Sequence, residues 1–206
     1  MKILLGCECS NTTAKEFRKL GHKVLSCDIQ DNDEDNTNHY KGDVMDVLYD
    51  GWDLMIAHPP CTFLSRAGAR WLYQNGSINQ ERLKNGMLAK EFFIKLLNAQ
   101  IKYICIENPL PLKIYELPKE SQVVQPYEYG HEYSKRTHLW LKNLPNLIPT
   151  DIKTDYTPYM PSNTGGAKRG QKATIKNMTK KLSSKSFSGI SKAMAIQWDK
   201  FINQNR

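Results

Sequence analysis

The chain lacks several features that would assign it to a specialised class of protein. No apolar run in its 206 residues is long enough to cross a membrane. The opening stretch "MKILLGCECS" is too short and too polar for a signal peptide, and it predicts a first buried strand. We therefore expect a cytoplasmic protein with no membrane partner.

Cysteine is scarce, and its spacing excludes two common uses. The five cysteines are odd in number and include no C-x-x-C pair, so a disulfide framework is not predicted. Cys7 and Cys9 are two residues apart, which is poor spacing for zinc ligands, and no metal site is predicted. Four of the five are interpreted as small core residues. The exception is Cys61, which follows two prolines directly after an apolar run.

The loop after the first predicted strand is poor in glycine. "GCECSN" contains one glycine, Gly6, where a dinucleotide fingerprint has three. This disfavours a pyrophosphate cradle and favours a nucleoside cofactor without phosphates, such as S-adenosylmethionine. Asp28 ends the second predicted strand about twenty residues later, where an acid can meet ribose hydroxyls. An ordinary acid at a strand end is an equally good interpretation of Asp28.

Positive charge is concentrated in one part of the chain. Residues 1–110 hold 13 Lys and Arg against 14 Asp and Glu, whereas residues 111–206 hold 16 against 7. Nine basic residues and one acidic residue lie within 153–192. Such a segment indicates a polyanionic partner, in most cases nucleic acid. The alternative is a solvated lysine-rich loop.

The order of the predicted elements indicates an α/β fold. Apolar runs at 2–6, 22–28, 52–57 and 102–109 predict strands, which alternate with helical patterns. The alternation predicts a mostly parallel sheet with helices on both faces, in which ligands bind at the carboxyl ends of the strands. These ends carry Gly6, Asp28, Asp43, the Pro59-Pro60-Cys61 loop and Glu107.

The chain is predicted to divide into three parts: a core over 1–142, a basic Pro/Gly/Lys-rich loop or flap over 143–187, and a helix over 188–206 that packs back on the core.

Three further expectations concern helices. Thr13 and Glu16 have the spacing of a capping box. The helix over 80–99 is predicted, despite Gly86, from apolar residues at helical spacing: Leu83, Met87, Leu88, Phe92, Leu96 and Leu97. The last helix is predicted to present Ile190, Met194, Trp198 and Phe201 on one face.

Two residues at the predicted edge can carry chemistry. Prolines restrict the backbone, so Cys61 is presented on a stiff loop, but a nucleophilic cysteine must be a thiolate. Taken alone, Cys61 is better explained as a buried cysteine beside a turn. Glu107 could hold or donate a proton if its pocket is half-buried. Its simpler interpretation is a salt-bridged surface acid.

Several motifs together resemble one family. "PPCTFLS" resembles the Pro-Cys-Gln-x-Phe-Ser loop of cytosine-5 DNA methyltransferases, with Pro60, Cys61 and Ser65 matching it. "ENP" at 107–109 resembles the family's Glu-Asn-Val motif, and "GDV" at 42–44 resembles its Gly-Asp-Ile. "YG" followed by "SKRTHLW" is similar to its Tyr-Gly-x-x-Gln-x-Arg-x-Arg strand. The motifs follow the family's order, and the chain is most similar to small methyltransferase-like proteins of bacteriophages and prophages.

The resemblance implies a Rossmann-like S-adenosylmethionine-dependent methyltransferase sheet without a sizeable target-recognition subdomain. It implies that Cys61 adds to carbon 6 of cytosine in DNA while Glu107 holds or protonates nitrogen 3, so that carbon 5 accepts the methyl group. The cofactor would be held by Gly6, Glu8, Asp28, Asp43 and Pro59. The nucleic acid would be held by Ser65, Arg66, Arg70, Asn108, Lys135, Arg136, Lys168 and Arg169. A base in a duplex would have to be flipped out.

Some positions depart from the family and keep other functions open. Glu8 stands where the family's first motif has glycine, His58 precedes the two prolines, and the Arg-x-Arg pair could align with Lys135 and Thr137 or one residue later. One alternative is an amino-group, RNA or nucleotide methyltransferase. Another is a degenerate methyltransferase fold that binds nucleic acid or a host restriction or defence protein, in the host cytoplasm if the chain is phage-encoded.

Overall fold

Seven strands form the central sheet of this computed structural model, which describes residues 1–34, 37–158 and 185–205. Their order across the sheet is β3-β2-β1-β4-β7-β10-β8, and β10 runs antiparallel to both of its neighbours, β7 and β8. The strands are β1 (Lys2–Gly6), β2 (Lys23–Asp28), β3 (His39–Lys41), β4 (Leu54–Ala57), β7 (Tyr103–Asn108), β8 (Gln122–Val124) and β10 (Thr137–Lys142).

Four two-residue strands form two small ribbons outside this sheet. They are β5 (Tyr73–Gln74) with β6 (Ser77–Ile78), and β9 (Tyr133–Ser134) with β11 (Thr157–Pro158). The helices are α1 (Thr12–Lys19), the single turn α2 (Ala69–Leu72), α3 (Gln80–Leu97) and α4 (Ser188–Gln204). Within the described part of the chain, no helix is long and apolar enough to cross a membrane.

The predicted α/β fold with helices on both faces is confirmed. Successive strand residues point to opposite faces, so Leu54 and Ile56 join the core under α1 and α4, whereas Met55 and Ala57 join the core under α3. Both faces of β4 are fully buried, which explains its continuous apolar sequence.

The first and last helices pack together on one face of the sheet. The hydroxyls of Thr13 in α1 and Ser191 in α4 are 3.0 Å apart and buried. The predicted apolar face of α4 is confirmed: Ile190, Met194 and Trp198 are buried, and Phe201 packs against the same core. The predicted capping box is wrong, because α1 begins after Asn11 and the Thr13 N–H is bound elsewhere.

Two of the apolar residues that predict α3 do not pack in the core. Met87 and Leu88 are 41% and 53% exposed, whereas Phe93 and Leu96 are fully buried. Gly86 sets this orientation, because the ring of Tyr115 packs on it and a Cβ there would lie 2.2 Å from that ring. The glycine therefore marks the contact face of the helix.

The described part of the predicted basic loop lies against the core. The Tyr127 and Tyr156 rings stack with centroids 3.9 Å apart, and β11 pairs with β9. Residues 159–184, which include Lys168 and Arg169, lie outside the described residues. The predicted boundaries at 142 and 187, and the absence of a recognition subdomain, therefore stay predictions.

Candidate active site at the carboxyl edge of the sheet

The sheet reverses its strand order between β1 and β4, and the register of three strands is level at this point. Gly6 pairs with Ala57, and Ala57 pairs with Ile106. The residues that follow these three are therefore neighbours at the carboxyl edge. Ligands of doubly wound sheets bind at such a reversal, which makes this edge the candidate site.

His58 and Glu107 form an ion pair here. His58 Nδ1 lies 2.8 Å from Glu107 Oε2, and the two side chains are 16% and 20% exposed. Burial opposes the charge on His58, but the hydrogen bond and charge of Glu107 outweigh it and raise the pKa of the imidazole. Burial likewise opposes the charge on Glu107, but His58 and then Lys135 lower the pKa of that carboxyl. The pair is an imidazolium donating to a carboxylate.

The loop that carries Cys61 is joined to the loop that follows Glu107. The Asn108 amide donates to the Pro59 carbonyl at 3.0 Å. Backbone bonds from Leu112 N to Leu64 O and from Arg66 N to Leu110 O continue the connection. The two predicted motifs are thus fixed to each other by hydrogen bonds as well as by neighbouring strands.

Cys61 is also held within its own loop. Its carbonyl accepts the N–H of the buried Ser65, and the carbonyl of Thr62 accepts from the Arg82 guanidinium in α3 at 2.7 Å. Ser65 therefore shapes the loop, and no contact places it among the residues that line the pocket described below.

The Cys61 thiol is not activated in this arrangement. Burial raises the pKa of the thiol, the charge of Glu107 raises it further, and Lys135 partly opposes them. The thiol is therefore protonated at neutral pH. A nucleophilic Cys61 would first need the negative charge of Glu107 to be neutralised.

A small pocket at the pair is closed by the start of α4. It is lined by Thr13, His58, Glu107, Lys135, Thr137, Lys185, Ser186, Phe187, Ile190, Ser191 and Met194. Lys135 lies over the Phe187 ring at 5.6 Å. Lys135 and Thr137 thus face the pocket, whereas Arg136 is exposed and acts on His138 on the other side of the strand.

Gly6 and Cys7 turn the chain out of β1. A Cβ at Gly6 would lie 3.0 Å from Val44 and 3.3 Å from Ala57, so packing accounts for this glycine. Cys7 has a φ of 55°, in the left-handed region that few side chains adopt. After this sharp turn, the next residue, Glu8, is buried at the edge of the sheet.

Glu8 is buried, and its two oxygens differ. Oε1 accepts from the N–H of Thr13 at 3.0 Å and from the Ser10 hydroxyl at 3.1 Å, so it caps α1. Oε2 is buried and has no hydrogen-bond partner within the described part of the chain. The charge of Glu8 also favours the protonated form of His58. One oxygen of this carboxylate is therefore structural, and the other is available to accept a further hydrogen bond.

Asp28 and Asp43 make the neighbouring edge acidic. Each carboxylate shapes its own loop, because Asp28 accepts from Gln30 N and Asp43 from Met45 N, both at 2.9 Å. Burial raises the pKa of the Cys7 thiol, and both aspartates raise it further. They therefore lie close to the loop after β1, where the sequence placed the cofactor.

Arg66 and Arg70 lie beside the site and outside the pocket. Both are exposed, on a short 3₁₀ turn and on α2, shortly after Cys61. The Arg70 guanidinium lies 4.8 Å from the ring of Trp71, which is 49% exposed. This exposed surface, with cations beside an aromatic ring, could meet a polyanion.

The sequence did not predict the role of His58, or that residues 185–187 would close the pocket. The only sequence signal for His58 was its place at a strand end. Its partner Glu107 is 49 positions away, and no local pattern links the two. Lys185 pairs with Asp33 at 2.9 Å, which brings the segment before α4 across the same edge.

The comparisons with known proteins add no assignment. No protein-family model matches the chain, and no curated protein matches it.

Proposed function

We propose that the protein is a cytosine-5 methyltransferase that transfers a methyl group from S-adenosylmethionine to cytosine in DNA through a covalent adduct at Cys61. One observation carries the proposal: two motifs 46 positions apart in sequence, at Cys61 and Glu107, lie on hydrogen-bonded loops at the strand-order reversal. Loops joined in this way would bring a thiol and a carboxylate to one ring.

The sheet supports the proposal at the level of fold. If the seven strands of the central sheet are numbered in chain order, their order across the sheet is 3-2-1-4-5-7-6. The seventh of them, β10, runs antiparallel to its neighbours. The first five positions follow the doubly wound order. An antiparallel seventh strand between the fifth and sixth is the arrangement of S-adenosylmethionine-dependent methyltransferase sheets. A fold alone does not fix a function, so the argument rests on the site.

The residues at the ends of β1 and β2 fit this cofactor. The unpartnered Oε2 of Glu8 can accept from an ammonium or hydroxyl group, and Asp28 stands where a ribose is met. The acidic edge suits a cationic sulfonium, and the single glycine suits a ligand without phosphates. When bound, S-adenosylmethionine would supply the methyl group that carbon 5 of the base takes.

The chain's own residues would supply the rest of the chemistry. The Cys61 sulfur would form a bond to carbon 6, which moves an electron pair toward nitrogen 3. Glu107 would hold nitrogen 3 and the exocyclic amino group. Asn108 would keep the two loops in register by holding the Pro59 carbonyl. Lys135 would favour the thiolate, since its charge lowers the pKa of Cys61.

One observation favours a second candidate function. Burial and Glu107 raise the pKa of the Cys61 thiol. An amino-group methyltransferase needs no thiolate, so this pKa shift would not lower its activity. The position of the methyl group on the product base separates the two functions.

The first experiment is transfer of labelled methyl to duplex DNA, single-stranded DNA, tRNA and free cytosine nucleotides. The Cys61→Ser variant should lose transfer by several orders of magnitude while still binding nucleic acid, because the hydroxyl is a far weaker nucleophile. Cys9→Ser, a half-buried cysteine at the same edge, is the matched control and should keep activity. Transfer retained in Cys61→Ser would contradict the covalent mechanism, and no transfer in the unchanged protein would favour a binding role.

A further inference from the structure

We propose that His58 is a positioning residue that supplies, through Glu107, the proton taken up by pyrimidine nitrogen 3 when Cys61 adds to carbon 6. The inference rests on the proposed function and deepens it. His58 stands where the chain departs from the family motif, at a position where no ionisable side chain was expected.

The geometry provides a direct path for the proton. His58 Nδ1 and Glu107 Oε2 are 2.8 Å apart, within hydrogen-bond distance, and both side chains are largely buried. His58 directly follows β4 and Glu107 lies on the neighbouring β7, at the same level because Ala57 pairs with Ile106. Because the backbone fixes both residues, the bond does not depend on a flexible loop.

The other oxygen of Glu107 is the one available to a ring. Oε2 is engaged by His58, so Oε1 remains for nitrogen 3 or the amino group of a bound cytosine. The pair as a whole holds one proton between Nδ1 and Oε2. A carboxylate without that partner could accept hydrogen bonds from the ring but would have no proton to give at neutral pH.

The charges around His58 keep its proton in place until it is needed. Glu107 on β7 and Glu8 after β1 favour the imidazolium, and Lys135 before β10 opposes it. Lys185 lies in the segment before α4 that lines the same pocket, and Thr13 on α1 is its neutral neighbour there. Burial raises the pKa of Cys61, in the loop after β4, and the same Glu107 charge raises it further.

The addition step balances with this proton. The thiol loses its proton to solvent, and the sulfur electron pair forms the bond to carbon 6. As the ring π electrons shift toward nitrogen 3, Nδ1 of His58 gives its proton to the Glu107 carboxylate, which rotates about its Cγ–Cδ bond and passes that same proton to nitrogen 3. The products are the sulfur adduct with an N3–H, a carboxylate and a neutral imidazole. When the bond from sulfur to carbon 6 breaks, the proton returns by the same path.

The arrangement also accounts for part of the raised pKa of Cys61, of which burial is the larger cause. While the pair is intact and empty, the charge of Glu107 disfavours the thiolate. Once nitrogen 3 meets the carboxylate and the proton is shared with the ring, that charge is reduced. The nucleophile is thus activated by the base it attacks.

The test measures carbon-5 hydrogen exchange, which needs addition but no methyl donor. Cytosine oligodeoxynucleotides, single-stranded and duplex, are incubated in deuterated buffer with the unchanged protein, His58→Gln and His22→Gln. His22 is the matched control, because its Nε2 lies 2.9 Å from Asp199 Oδ1 in a second histidine–carboxylate pair at the opposite edge. Glutamine can still donate a hydrogen bond to Glu107 but cannot transfer a proton.

We expect exchange by the unchanged protein to fall as the pH rises through the pKa of the His58 imidazolium. His58→Gln should lower the rate by about 100-fold or more, the scale of general acid catalysis, and should lose that alkaline fall. His22→Gln should change neither the exchange rate nor its fall at alkaline pH. A His58→Gln rate within about twofold of the unchanged protein, or the same alkaline fall in that variant, would overturn the inference.

A second measurement covers the case in which His58→Gln fails to fold. Titration of the histidine ring resonances by NMR should place the pKa of His58 above that of a free imidazole, and Glu107→Gln should lower it. A pKa that Glu107→Gln leaves unchanged would overturn the inference. Failure of the proposed function is distinguishable, because it appears as absent exchange and absent methyl transfer in the unchanged protein.

Discussion

Glu107 affects its two neighbours in opposite ways. It stabilises the charged form of His58 and destabilises the charged form of Cys61. Both effects follow from one negative charge in a pocket where water does not screen it. For Cys61, the Glu107 charge adds to the larger effect of burial, so engagement of the carboxylate by another group would lower the thiol pKa only in part.

This coupling predicts the pH dependence of Cys61 alkylation. A nearby negative charge raises a thiol pKa, so Glu107→Gln should shift the midpoint of the iodoacetamide rate against pH to lower pH. Lys135 acts in the opposite sense, so Lys135→Gln should shift the midpoint to higher pH. The rate is followed by mass spectrometry of the Cys61 peptide. Midpoints that move together, or not at all, would contradict the electrostatic account.

At the scale of the element, α3 shows how one residue sets the orientation of a helix. Gly86 lies against Tyr115, and the exposed Met87 and Leu88 are turned away from the core. A glycine inside a helix costs about 1 kcal/mol relative to alanine. Close contact with Tyr115 explains why it is tolerated.

Gly86→Ala should therefore destabilise the protein, although the same change in an exposed helix would stabilise it. The added Cβ would overlap the Tyr115 ring, and overpacking of a core costs roughly 1–3 kcal/mol. Urea unfolding measures the change, with Met87→Ala as a control that should be close to neutral. A gain in stability for Gly86→Ala would show that Tyr115 is not packed there.

The strands could be predicted from sequence because their signal is local. The buried runs of β1, β4 and β7 are continuous and apolar, and the acids and prolines that end them mark the functional edge. The face of α3 could not be predicted, because several leucines compete for burial and the decision depends on Tyr115, far along the chain. The His58–Glu107 bond was hidden for the same reason. Its two residues meet only through strand pairing.

Across the whole molecule, charge is divided between the site and the C-terminal part of the chain. The carboxyl edge is acidic around Asp28 and Asp43, whereas the positive excess lies within 153–192. An acidic edge suits a cationic cofactor and repels phosphates. Under the proposed function, nucleic-acid affinity would therefore come from basic residues elsewhere, including those that lie outside the described residues.

Binding to duplex DNA should consequently weaken steeply with salt. Each phosphate neutralised by a cation contributes about −0.9 to the slope of log K against log salt. Replacing Lys168 and Arg169 by Gln should make the slope less negative by roughly 1.8 if both contact phosphates. Fluorescence anisotropy over a salt series measures it, with Lys84 and Lys90 on α3 replaced as the charge-matched control. Equal slopes in both double variants would exclude the two residues from the interface.

The packing of α4 on α1 has a consequence for how the protein is made. The apolar surface formed by Ile3 and Leu5 of the sheet and Phe17 of α1 is covered by α4, which leaves the ribosome after all seven strands of the central sheet. That helix also lines the pocket at His58 and Glu107. A nascent chain can therefore hold the loops of Cys61 and Glu107 and still expose an open apolar face. A chain that stops before Ser188 would present that face to chaperones and proteases.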